Sequence, residues 1–141
     1  MEQSGYGLPL PTPQPETEYF WERAKAHELW LMACDDCRAT YFYPRPICPR
    51  CFSRKTHWVQ SSGRGTLYAF AMVHRAPTRA FQDRVPFVAA LVELEGGVRV
   101  PSNLVEVEPD PERIEIGMPV EAVFDDVTPE VTLVKFRPVS G

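Results

Sequence analysis

Cys34-Asp35-Asp36-Cys37 and, ten residues further on, Cys48-Pro49-Arg50-Cys51 are the stretches on which the reading of this sequence turns. Two residues between cysteines let one tight turn aim both sulfurs at a single centre. Two such turns supply the four thiolates of a closed tetrahedral metal site. Disulfides are disfavoured by the short span of each pair, and a redox centre needs one dithiol rather than two. Four cysteine ligands leave no open coordination position, so Cys34, Cys37, Cys48 and Cys51 are expected to hold a structural Zn²⁺, with iron the alternative metal. The residue after the second cysteine of such a turn is commonly glycine, which adopts a left-handed conformation freely. Here Arg38 and Phe52 stand there. If they turn left-handed, each costs about 1 kcal/mol, small beside the roughly 10–16 kcal/mol of structural zinc binding.

Working outward, the segment Arg38–Ile47 contains Tyr41, Phe42, Tyr43 and two prolines, enough for a short two-stranded ribbon between the cysteine pairs. Upstream, residues 1–15 alternate prolines with other residues and read as a flexible Pro/Gly tail. A helix is expected over residues 16–26, with Glu16 and Glu18 in its first turn and Lys25 and His27 at its end, as the macrodipole prefers. Phe20, Ala24 and His27 would share its apolar face.

Downstream the hydrophobic period changes to two. Five strands are expected, at residues 66–74, 86–95, 98–107, 119–126 and 131–137. Gly96-Gly97 suits a tight hairpin turn between the second and third. Glu108–Ile114 reads as a turn with at most one helical turn, and Gly117 as the bend into the fourth strand. Five short strands with a longer connection between the third and fourth match an OB-fold barrel, an SH3-like barrel being the competitor. The organisation is therefore mainly β: tail 1–15, helix and ribbon 16–60, barrel 61–141. The first two strands are apolar on both faces, and a small barrel buries only one. The second face is expected under the helix, the ribbon or another protein.

With 44% hydrophobic and 24% charged residues, the 141-residue chain can bury a core. Its net charge of -4 gives no electrostatic footprint for nucleic acid or anionic lipid. No apolar run approaches the roughly 20 residues of a membrane span, and the first residues do not read as a signal peptide, so a cytoplasmic setting is expected.

The order of helix, four-cysteine ribbon and barrel resembles a family of acyl-CoA-associated OB-fold proteins with a rubredoxin-like zinc ribbon, catalogued as domain of unknown function thirty-five. The resemblance runs from Phe20 to Pro138. It is carried by Phe20-Trp21-Glu22, by the two cysteine pairs with Tyr43-Pro44-Arg45-Pro46-Ile47 between them, and by Gly63-Arg64-Gly65-Thr66-Leu67-Tyr68. Val73-His74-Arg75, Val85-Pro86-Phe87, Gly96-Gly97, Ile116-Gly117-Met118-Pro119-Val120 and Phe136-Arg137-Pro138 follow in order. The resemblance implies a non-catalytic subunit that binds and stabilises a thiolase-like enzyme, helps shape a path for its acyl-CoA substrate, and assembles as a two-plus-two hetero-oligomer. Aldolases that shorten steroid side chains and acyl-CoA thiolases are the partners it implies.

Among the residues themselves, no motif sets a nucleophile or carboxylate against His27, His57 or His74, so no autonomous catalytic site is expected. The connection between the first two barrel strands carries Arg75, Arg79, Arg84 and Phe81. Guanidinium forks suit phosphates, so this loop is the candidate contact for the nucleotide of an acyl-CoA or for an acidic patch on a partner; the plain alternative is a solvated basic loop. Two other classes stand beside the accessory subunit. One is a free-standing nucleic-acid-binding OB protein, with Tyr68 and Phe70 as stacking candidates. The other is an enzyme or electron carrier acting alone.

Overall fold

The computed structural model describes residues 8 and 10–139. Most of the expected tail, residues 1–7 and 9, lies outside them, and residues 10–14 have no regular secondary structure. Helix α1 runs Glu18–Lys25, with Glu18 in its first turn and Arg23 and Lys25 in its last, and buries Phe20 and Ala24.

His27 departs from the expected apolar face. It lies past the helix at φ 61°, half exposed, because the chain must reverse there into the next strand. Its ring stacks on Phe124 at 5.2 Å, and its Nε2 lies 3.0 Å from an Asp126 carboxylate oxygen. Lys25 approaches the same carboxylate at 3.6 Å, and the Thr132 hydroxyl donates to it. The Thr132 hydrogen bond, with the help of His27, holds the Asp126 carboxyl below the usual carboxylate range. A depressed native pKa contributes stability above the unfolded aspartate pKa of about 3.9, which is lost as pH falls through the native value. The stability advantage of the wild type over Asp126→Asn, measured by urea unfolding, is expected to shrink as pH drops below about 4. An advantage unchanged from pH 7 to pH 3 would contradict the assignment.

The ribbon is larger than expected and differently built. Strands β1 (Leu29–Cys34), β2 (Thr40–Tyr41) and β3 (Thr56–Ser61) form an antiparallel sheet in the order β2-β1-β3. The main ladder is β1 with β3, from Leu29 opposite Ser61 to Cys34 opposite Thr56, outside the cysteine pairs rather than between them. Only two residue pairs join β1 to β2. The prolines at 44 and 46, which have no N–H to donate, do not extend that strand. β1 carries no period-two signal, since its run Leu-Trp-Leu-Met-Ala-Cys does not alternate. Leu29, Leu31, Met32 and Cys34 are all buried, serving two clusters at once.

β4 (Arg64–Val73), β5 (Phe87–Leu94), β6 (Arg99–Leu104), β7 (Pro119–Asp126) and β8 (Thr132–Pro138) close into a barrel in the order β4-β5-β6-β8-β7. This is the expected five-stranded topology. β6 stops at Leu104 rather than at residue 107, since the Val105 amide turns to the Phe136 carbonyl at 2.7 Å and Glu106 adopts φ 56°. The hairpin after Leu94 has three residues, Glu95 to Gly97, with both glycines at positive φ. Gly65 marks a close approach: a Cβ there would meet the Glu93 carbonyl oxygen at 2.3 Å. The seam is held by the parallel pairing of Leu104 with Phe136 and by the Ser102 hydroxyl, which donates to the Val134 carbonyl at 2.8 Å. Leu67, Val92, Val120 and Phe136 fill the barrel and are fully buried.

α1 packs on β7 and β8. Trp21 Nε1 donates to the Tyr43 hydroxyl at 3.0 Å, and Phe20 meets Phe42 and Tyr43 edge to face. These aromatics face Val100, Ser102 and Val134 across a cleft of 230 Å³. The helix and ribbon thus lean on the β6–β8 side of the barrel.

Candidate metal centre

Each cysteine pair sits on a tight turn. The Arg38 amide donates to the Cys34 carbonyl at 3.0 Å and the Phe52 amide to the Cys48 carbonyl at 2.9 Å. The Cys37 amide points at Cys34 Sγ, 3.5 Å away, and the Arg50 amide at Cys48 Sγ, 3.4 Å away. Both turns end left-handed, at Arg38 (φ 66°) and Phe52 (φ 63°). The conditional strain read from the sequence is therefore present. Gly substitution removes a Cβ penalty of about 1–2 kcal/mol and costs about 0.5–1 kcal/mol in backbone entropy. Arg38→Gly and Phe52→Gly are each expected to raise the unfolding free energy slightly, by at most about 1 kcal/mol, read from urea unfolding, whereas Phe52→Val lowers it. A clear loss in both glycine variants would mean that those side chains hold the turns.

The four Sγ atoms lie within 4.8 Å of one another, with Cys34 to Cys51 at 3.5 Å and Cys37 to Cys48 at 3.6 Å. Disulfides need about 2.05 Å. A zinc tetrahedron with bonds of about 2.3 Å places its sulfurs about 3.8 Å apart, which these spacings match. Cys34 and Cys48 are buried against Met32, Tyr41 and Trp58, while Cys37 and Cys51 face outward. The Tyr41 hydroxyl ties the loop across the site to the Arg45 carbonyl at 2.5 Å.

The sulfurs are electrostatically crowded. Hydrogen bonding from the Cys37 amide lowers the Cys34 thiol. Burial pushes Cys48 up, but the Cys51 and Arg50 amides outweigh it and bring it down to about 7. The Ser53 amide draws Cys51 down, yet burial and the three neighbouring sulfurs push it up to about 12. The quartet readies some thiolates and penalises the last. A divalent cation among them is the species that stabilises all four.

The arginine loop is only partly gathered. The Phe81 ring lies tilted against Phe87 with centroids 5.5 Å apart, and Phe81 and Arg84 line a 330 Å³ cleft with Asn103, Leu133 and Lys135. Arg75 and Arg79 are exposed outside it. Of the stacking candidates, Tyr68 lies under the Arg99 guanidinium at 3.8 Å, and Phe70 packs against the core. Two histidines do have carboxylate partners that no sequence motif announced: His27 with Asp126 and His57 Nδ1 with Asp35 at 2.7 Å. Both pairs are formed across separate elements and are about half exposed. Among the described residues, no helix is long and apolar enough to cross a membrane.

A four-cysteine ribbon and helix leaning on a closed five-stranded barrel define a zinc-ribbon OB-fold protein. Residues 21–57 match the family model of the ChsH2 rubredoxin-like zinc ribbon domain, and residues 58–125 that of the ChsH2 C-terminal OB-fold domain. A DUF35 domain-containing scaffold protein of Methanocaldococcus jannaschii is 43% identical over 107 residues, covering 74% of this chain and 73% of its own. The chain belongs to this DUF35 family. It is also 38% identical to a probable enoyl-CoA hydratase alpha subunit of Thermomonospora curvata, over 92% of this chain and 40% of that one. Identity is 40% to the 3-oxo-4,17-pregnadiene-20-carboxyl-CoA hydratase alpha subunit of Mycobacterium tuberculosis, over 91% of this chain and 39% of that one. The chain thus spans about two fifths of the length of these hydratase subunits. A solved chain described as Ltp2-ChsH2(DUF35) aldolase superposes with TM-score 0.77 at 37% identity, covering 92% of this chain and 98% of that one.

Proposed function

We propose that this protein is a non-catalytic accessory subunit of an acyl-CoA-processing complex, which it binds and stabilises through a zinc-scaffolded surface. The observation that carries the reading is the likeness, over nearly the whole of both chains, to the DUF35 chain of an aldolase assembly. The hydratase alpha subunits and scaffold proteins among its relatives support the same role. The fit of four crowded thiolates to a tetrahedral cation supports Cys34, Cys37, Cys48 and Cys51 as ligands of a structural Zn²⁺. When bound, the ion neutralises the sulfurs and cross-links the two turns; with four protein ligands it has no position for substrate. Reduced thiols of this kind suit a cytoplasmic setting.

The partner is a thiolase-superfamily subunit, and retro-aldol cleavage of a steroid or branched side chain is favoured over Claisen-type thiolysis. In a two-plus-two assembly this chain stabilises the partner and contributes to the acyl-CoA path, with Phe81 and Arg84 at the cleft as its contacts and Arg75 and Arg79 nearby. The test is co-expression with a thiolase-like subunit from the same genome, followed by size-exclusion chromatography and metal analysis. One peak containing both chains and one zinc per copy of this chain is expected, with acyl-CoA turnover only in the complex. Two separate peaks, or turnover by this chain alone, would overturn the reading.

A further inference from the structure

Beyond the bulge at Tyr68, the strand register assigns the paired side chains of β4, β5 and β6 to one side of the sheet or the other. Met72, Val88 and Leu104 form one inward row, and Phe70 with Ala90 another. The outward side carries Ala69, Ala71 and Val73 of β4 opposite Leu91, Ala89 and Phe87 of β5. Pro101 and Asn103 of β6 continue two of these rows. The solvent side of an antiparallel sheet is ordinarily polar. Here these eight positions hold no charge and a single polar residue, and none of them is buried. This is the surplus apolar face visible in the sequence. The helix and ribbon lean on the β6–β8 side and border it at Pro101 and Asn103, which line the cleft beside them, while the β4 and β5 positions lie away from that cleft.

The borders say what fits it. At one end lies a neutral row, in which Glu93 is held by Arg99 at 3.2 Å. At the other lies the β4–β5 connection, whose Arg75, Arg79 and Arg84 outnumber its one acid, Asp83. Three alanines keep the centre low, so a partner's backbone can approach closely. Nucleic acid is a poor match: the aromatic rings at the margins, Phe87 and Tyr68, are already contacted by the Phe81 ring and covered by the Arg99 guanidinium, and the chain carries a net -4. A second copy is poor too. A two-fold pairing sets net-positive loops against each other or against the neutral Glu93–Arg99 row.

We infer that the outer face of β4–β6 is the docking surface for a protein subunit whose contact patch is apolar and flat, with carboxylates along the border that meets Arg75 and Arg79. The inference rests on the accessory-subunit reading and names the surface that reading needs. The test uses the full chain co-purified with its thiolase-like subunit, and compares Ala71→Arg and Ala89→Arg with the wild type and with Glu112→Arg on the β6–β7 connection. Both alanine positions are outward, so thermal midpoint and zinc content are expected to stay at wild-type values. A charge placed in a desolvated contact is expected to weaken the complex at least ~10-fold, while Glu112→Arg leaves it intact. Hydrogen exchange in the complex is expected to slow at residues 69–73 and 87–91. A complex that forms but ignores both alanine variants, or is protected elsewhere, overturns this surface and leaves the accessory role standing. Failure of the wild type to form any complex overturns both. A wild-type homodimer dissolved by Ala71→Arg would assign the face to a second copy and overturn the inference.

Discussion

Replacing Cys48 by serine is expected to strip the metal and unfold the ribbon while leaving a destabilised barrel. Cys48 is fully buried with Cys34, Met32 and Tyr41 in a cluster separate from the barrel core. That cluster is too small to hold three strands by apolar contact. Metal binding at such sites is worth roughly 10–16 kcal/mol, comparable with the 5–15 kcal/mol of a whole domain, so without it the ribbon has no compensating term. The damage should propagate, because β1 also sends Leu29 and Leu31 into the barrel cluster. Zinc content, hydrogen exchange over residues 29–61 and the urea midpoint would be measured together. Cys51→Ser serves as the companion, since Cys51 is exposed and its loss creates no buried hole. If both variants kept wild-type protection and midpoint, the metal would not be scaffolding. A colourless purified protein supports zinc; a red one with charge-transfer absorption points to iron.

Phe136→Ala is the second large effect. Phe136 is fully buried, and it sits where the parallel pairing of Leu104 with β8 closes the barrel. Truncating such a residue removes its transfer free energy and leaves a cavity that a closed barrel cannot collapse, a loss of about 3–5 kcal/mol. Its backbone carbonyl still accepts the Val105 amide, so the loss is one of packing rather than of the ladder. Phe52→Ala, at a position 77% exposed, is expected to stay within about 0.5 kcal/mol of the wild type. Urea unfolding of both variants at saturating zinc measures the contrast. A Phe136→Ala loss below about 1 kcal/mol would refute the closed core.

Most of the architecture was legible because its signals are local. A period of two is a property of consecutive residues, and so the five barrel strands could be read within a few positions. The cysteine pairs carry their own turn geometry, and Arg38 and Phe52 could be flagged as left-handed from their place after each pair. What resisted reading was set by contacts distant in the chain. β1 has no alternation because its side chains serve the cysteine cluster and the barrel together. β3 becomes a strand by pairing with β1 across the whole cysteine segment. His27 looked like part of an apolar helix face, yet the reversal after α1 carries it to Asp126, 99 residues away.

The four cysteines, by their spacing alone, pointed to one closed four-thiolate site, and the fold brings their sulfurs within 4.8 Å of one another. The sequence also showed that the first barrel strands are apolar on both sides, since alternation records residue type on each face. It could not say which element covers the second face, because that depends on how the ribbon and helix settle on a closed barrel. Only the tertiary structure decided this: α1 and the ribbon lean on the β6–β8 side and leave the outward positions 69, 71, 73, 87, 89 and 91 of β4 and β5 uncharged and unburied.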